Sequence, residues 1–136
     1  MLSDTRSPAA DLVRRFCGSW GSGEVDQVVG YLSSDVEWEN VPIGILRGRE
    51  SARERIAAAF AAARSIRWEL LTLGIASDGA VLTERLDVID TGSGDVRIRI
   101  MGLFRVGPGG ILLWRDYFDG RSYSRDLAFG SSAVDV

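Results

Sequence analysis

Two carboxylates and one guanidinium, set among apolar residues in segments that alternate like β-strands, are the groups of this chain whose types and spacing could do chemistry. Asp87 lies in Thr83-Glu84-Arg85-Leu86-Asp87-Val88, and Asp116 in Trp114-Arg115-Asp116-Tyr117-Phe118-Asp119. An ionised carboxylate facing a core is costly unless it is paired. Arg85 stands two residues before Asp87, on the same strand face, and supplies a partner. Arginine draws a neighbouring carboxylate toward ionisation, while a second carboxylate and an apolar wall push toward protonation. Two aspartates around one arginine can therefore share a proton near neutral pH and titrate as a unit, one donating while the other accepts. The same three residues would also serve as a structural ion-pair network in a half-buried sheet. The chain has no histidine, which removes imidazole as base, relay or metal ligand.

These groups need elements to hold them. Ser7-Pro8 opens a helix whose apolar positions Leu12, Val13, Phe16, Cys17 and Trp20 recur at helical spacing, and Gly21-Ser22-Gly23 ends it. A shorter helix follows, with Val25, Val28, Val29 and Leu32 on one face. Val36 to Val41 alternates like a strand, and Pro42 with Gly44 breaks it into a loop. An alanine-rich helix runs from about Arg49 to Ala63, with Ile56 and Phe60 as its buried points. Four strands then span Ile66 to Ala76, Ala80 to Asp90, Val96 to Val106 and Ile111 to Asp119, joined by turns short enough to force antiparallel hairpins. The tail after Tyr123 reads as irregular. Helices first and a meander after form an α+β pattern in which a curved sheet wraps over helices.

In Val96-Arg97-Ile98-Arg99-Ile100 the arginines face outward and the isoleucines inward. The Thr91–Gly94 loop then sets Asp87 opposite Ile98 and Arg85 opposite Ile100. A three-residue Gly107–Gly109 loop sets Ile100 opposite Asp116, and Trp114 opposite Gly102, whose missing side chain leaves room for the indole. Arg85 and Asp116 are then two strands apart on one face, roughly 10 Å between backbones, which their side chains span together.

With 136 residues, 46% of them hydrophobic and 26% charged, the chain is expected to be one domain over residues 1–136. A net charge of -3 argues against nucleic-acid or anionic-membrane surfaces. The basic run Arg47, Arg49, Arg53, Arg55 is offset by Glu50 and Glu54 and reads as a solvated loop and helix face. A single Cys17 permits no internal disulfide and no cysteine metal site, so neither metal nor cofactor is expected. The N-terminal residues have no apolar leader and no stretch has membrane-spanning length, making a cytoplasmic protein the expectation. Trp20, Trp38, Trp68 and Trp114 read as core and pocket wall.

From about Leu12 to Tyr123 the chain resembles the limonene-1,2-epoxide hydrolases, within the NTF2-like/SnoaL-like group of cone-shaped α+β domains with a mixed or antiparallel sheet over three to four helices. The resemblance is carried by the segments around Arg85–Asp87 and Trp114–Asp119, supported by Asn40-Val41-Pro42 and Gly48-Arg49. It implies that Asp87 is the general acid that protonates an epoxide oxygen, Asp116 the general base that deprotonates water, Arg85 the bridge between them, and Asn40 a holder of that water. Ring opening would be one step, without a covalent intermediate. Cys17, Trp20, Ile89, Ile98, Ile100, Trp114 and Phe118 match pocket-lining positions and suit a small hydrophobic epoxide. Trp38 stands where the family usually has a tyrosine that orients the water, and an indole can only donate. The family also implies a homodimer through Leu86, Val88, Leu113 and Tyr117. A polyketide-type cyclase or isomerase would need only one acid, and a non-catalytic binding or dimerisation domain would need neither, so the second aspartate and the arginine discriminate against both.

Overall fold

The computed structural model describes residues 7–120, so the tail expected to be irregular lies outside the described residues. Helix α1 (Pro8–Ser19) starts as its sequence directs: the Ser7 hydroxyl accepts from the Ala10 N–H at 3.3 Å, with proline in the first turn. It buries Ala10, Val13, Phe16 and Cys17, and runs into a 3-10 turn over Trp20–Ser22 that Gly23 closes with φ 72°. Helix α2 covers only Val25–Val29; Leu32, expected on its face, is instead the first residue of strand β1 (Leu32–Val41). Pro42 does break that strand, but the chain then turns back as β2 (Gly44–Arg47), a short and mostly exposed strand with no alternating pattern to announce it. Helix α3 (Arg49–Ala62) buries Ala52 and Ile56, with Phe60 only partly covered.

Strands β3 (Ser65–Ile75), β4 (Val81–Asp90), β5 (Asp95–Gly107) and β6 (Gly110–Tyr117) form the expected antiparallel meander. The six-stranded sheet has the order β2-β1-β6-β5-β4-β3, mixed because β1 runs parallel to β6. Helices α1 and α3 pack on one face, where Val13, Phe16, Ile56, Phe104, Ile111 and Trp114 are fully buried.

The β4/β5 register is the expected one, with Asp87 opposite Ile98 and Arg85 opposite Ile100. The β5/β6 register differs by two residues. Gly107 pairs with Gly110, a turn one residue tighter than expected, and a bulge follows between Arg105 and Val106 of the ladder. The tighter turn alone would flip every β6 side chain to the other face, and the extra residue of the bulge flips them back. Asp116 therefore stays on the inner face but lies opposite Gly102, and Trp114 opposite Phe104. Gly110, with φ 118°, lies against β1: a Cβ there would come within 2.6 Å of the Tyr31 carbonyl oxygen.

Candidate active site

On the inner face one guanidinium holds both carboxylates. Arg85 Nε and Nη2 donate to Asp87 Oδ1 and Oδ2 at 2.9 and 3.1 Å, and Nη1 and Nη2 donate to Asp116 Oδ1 and Oδ2 at 2.9 and 2.8 Å. All three residues are buried, Arg85 completely. Such a doubly bidentate arrangement requires the planar fork of arginine. Backbone alone permits it: a Cβ at Gly102 would come within 2.8 Å of Asp116 Oδ1 and 2.9 Å of Arg85 Nη1. The space at Gly102 is thus taken by the ion-pair network, and not by the Trp114 indole as the expected register implied.

Indoles frame the network on two sides. The Arg85 guanidinium carbon lies 3.8 Å from the centre of the Trp68 ring, a cation–π contact. The Trp114 indole N–H donates to Asp116 Oδ2 at 3.0 Å. Each of these rings is backed by another: Trp20 stacks on Trp68 at 4.2 Å between centroids, and Trp38 on Trp114 at 3.9 Å with planes 6° apart. The backing indoles hold their Nε1 atoms buried and without hydrogen-bond partners among the described residues. Trp38 therefore faces the site as a flat wall supporting Trp114.

Burial pushes Asp87 up to about 6; the Arg85 charge and its hydrogen bonds oppose this, and the nearby Asp116 adds to it. Burial acts to lower Arg85, but the charges of Asp116 and Asp87 outweigh it and hold the guanidinium above its ordinary value. A group raised to about 6 carries its proton in a usable fraction of molecules near neutral pH.

A cavity of about 110 Å³ opens onto these carboxylates, lined by Asp87, Asp116 and Asn40 together with Trp20, Trp38, Trp68, Trp114, Ile66, Ile89, Ile98, Ile100, Phe118, Ala59 and Arg55. Asn40 pairs with Asp116 across the parallel β1/β6 ladder, and its carboxamide has no protein hydrogen bond among the described residues. Of the expected wall, Trp20, Ile89, Ile98, Ile100, Trp114 and Phe118 line the cavity. Cys17 does not: it is packed in the helix–sheet core, and burial, opposed by the Arg85 charge, pushes its thiol up to about 12.

Three contributions were not read from the sequence, although Trp68 and Trp114 were expected as core and pocket wall. Trp114 as a donor to Asp116 had a readable signal, since it precedes Asp116 by two on one strand face, as Arg85 precedes Asp87. Trp68 comes opposite Asp87 only through the β3/β4 ladder, and Arg55 reaches the cavity only through the packing of α3. Among the described residues no three of His, Cys, Asp and Glu gather in a way that could hold a metal ion, and no helix is long and apolar enough to cross a membrane.

The model of the limonene-1,2-epoxide hydrolase catalytic domain matches residues 7–126. Epoxide hydrolase EphG of Mycobacterium tuberculosis is 33% identical over 125 residues, covering 91% of this chain and 82% of that protein. The solved structure of an M. tuberculosis LEH-like epoxide hydrolase matches with a TM-score of 0.78 at 30% identity, over 94% of this chain and 93% of the other. At 18% identity a Catenulispora acidiphila protein with the ketosteroid isomerase-like fold matches with a TM-score of 0.74, over 93% and 96% of the two chains, a likeness of fold alone.

Proposed function

The chain belongs to the limonene-1,2-epoxide hydrolase family, and from that premise we propose that it converts a small hydrophobic epoxide and water into a vicinal diol in one step. The observation that carries this reading is the single guanidinium bound to both carboxylates at the apolar cavity. Asp87, raised to about 6, is the general acid: its proton passes to the epoxide oxygen as the carbon–oxygen bond breaks. Asp116 is the general base, taking a proton from the water whose oxygen forms the new bond to carbon. Asn40, next to Asp116 across the ladder, holds that water. Arg85 keeps the two carboxylates in place and lets a proton return from Asp116 to Asp87, through solvent, to reset the pair. Trp38 shapes the pocket and supports Trp114, so the water is held without the family's phenol.

A homodimer through the outer sheet face is part of the same reading. Met101, Leu112 and Tyr117 are 54%, 42% and 47% exposed there, and Leu86 and Leu113 are half-buried, whereas Val88 is already covered within the chain.

The deciding experiment is a panel of small cyclic and aryl epoxides, followed by a single turnover with enzyme in excess in water labelled with heavy oxygen. Labelled diol and unlabelled protein are expected. Label entering Asp116 instead would mean an ester intermediate and overturn the one-step reading. Formation of a cyclic ether from a hydroxy-epoxide, with no diol from any substrate, would favour the cyclase.

A further inference from the structure

Four arginines crowd the stretch around the start of α3, and the structure gives three of them partners. Arg47 Nε lies 3.5 Å from Glu37, Arg49 Nη1 donates to the Leu32 carbonyl at 3.1 Å, and Arg53 pairs with Asp26 and, at 3.9 Å, with Glu50. Arg55 makes no hydrogen bond or ion pair among the described residues. Its own helix offers none: the positions three and four residues away are Ser51, Ala52, Ala58 and Ala59. Arg55 is half-buried and lines the same cavity as Asp87 and Asp116.

Charge makes the placement informative. The Arg85 charge is already matched by two carboxylates, so nothing there attracts a further anion. The remaining wall, apart from Asn40, is apolar. An arginine at such a wall with no acidic partner among the described residues is costly to leave uncompensated, and its planar fork is suited to a ligand carboxylate. We infer that the substrate is an epoxide that also carries a carboxylate, and that Arg55 binds this carboxylate while Asp87 and Asp116 act on the ring. Anchoring the far end of the molecule fixes which ring carbon meets the water, so Arg55 determines regiochemistry as well as selectivity. The inference rests on the epoxide reading for the identity of the reacting group, but not for the anion site.

The test compares a terminal epoxyhexanoate with its primary amide, and hexanoate with hexanamide as unreactive ligands. The wild type is expected to favour the acid over the amide in kcat/KM by about tenfold or more, the range of a charge-assisted hydrogen bond. In Arg55→Ala that ratio falls about tenfold through KM, and Arg55→Lys, which keeps charge but not the fork, lies between. Calorimetry is expected to show hexanoate binding more tightly than hexanamide in the wild type and not in Arg55→Ala. An acid-to-amide ratio near one in the wild type, or one that Arg55→Ala leaves in place, overturns the inference while leaving epoxide hydrolysis standing. Arg55-dependent hexanoate binding with no diol from either epoxide overturns the reaction and upholds the anion site.

Discussion

Arg67-Trp68-Glu69 on β3 and Arg85-Leu86-Asp87 on β4 are the same local pattern, an arginine and an acid two residues apart on neighbouring strands, with opposite fates. Arg67 opposes Val88 and Glu69 opposes Leu86, so that pair lies on the outer face. Its distance of 2.9 Å equals that of Arg85 and Asp87, yet its side chains are 52% and 39% exposed against 0% and 9%. Distance and spacing alone therefore do not make a site. The outer pair stays in water, where the ions gain little from one another; the inner pair has lost its water and depends on its two hydrogen bonds and on the two that Arg85 makes to Asp116. The intervening residues invert the contrast: Trp68 points inward beneath Arg85, whereas Leu86 points outward.

The largest separation between the two pairs is expected in catalysis. Asp87→Asn and Asp116→Asn each keep the shape but remove a proton donor or acceptor, and each should lower kcat by ~10²–10⁴-fold or more. Glu69→Gln, on the outer face, should leave diol formation unchanged. Steady-state rates on an epoxide of the panel decide this, and near-normal turnover in either aspartate variant would remove that residue from the mechanism.

In stability the contrast should be nearly as wide. Arg85→Ala leaves two buried carboxylates unpaired and should cost about 3–5 kcal/mol in urea unfolding. Arg67→Ala should cost no more than about 1 kcal/mol. Equal losses would mean that burial is not what distinguishes the pairs.

Gly102→Ala probes the space the inner network occupies. Its new methyl would sit 2.8–2.9 Å from Asp116 Oδ1, Arg85 Nη1 and Thr83 Oγ1, so the network must shift. The expected result is a loss of turnover with about 1–3 kcal/mol of overpacking cost, read by rate and unfolding together.

The smallest effect is in pH dependence. Burial raises Asp87 from 3.8 to about 6, so between those values the folded chain binds more protons than the unfolded one. Stability contributed by this group is present at the acid end and lost as pH rises from 3.8 through about 6. Asp87→Asn should flatten that part of the wild-type unfolding profile, while Glu69→Gln should not. The same titration should give kcat/KM an alkaline limb near 6, since the acid must carry its proton. A kcat/KM that rises through that range would contradict the assignment of Asp87 as acid.

Much of the inner site was legible along the chain. The two-residue spacing of Arg85 and Asp87 places both on one face of any strand, and the Arg/Ile alternation in β5 together with the short Thr91–Gly94 loop leads to the β4/β5 register found in the structure. The Ser7-Pro8 start of α1 follows from local capping chemistry in the same way. These are properties of neighbours in sequence, and strand or helix periodicity is enough to carry them.

What only the tertiary structure decided involves contacts between distant segments. The β5/β6 turn closes one residue early, with Gly110 lying against the Tyr31 carbonyl, and the bulge that restores the face of Asp116 is not marked by residue type. Asn40 meets Asp116 through a parallel pairing of the first and last strands, which no turn specifies. Nor does spacing show that Arg55, alone of four neighbouring arginines, lines the cavity and has no hydrogen bond or ion pair among the described residues. Local chemistry determined which side chains share a face; loop closure, strand pairing and helix packing, which depend on the whole core, decided which faces meet.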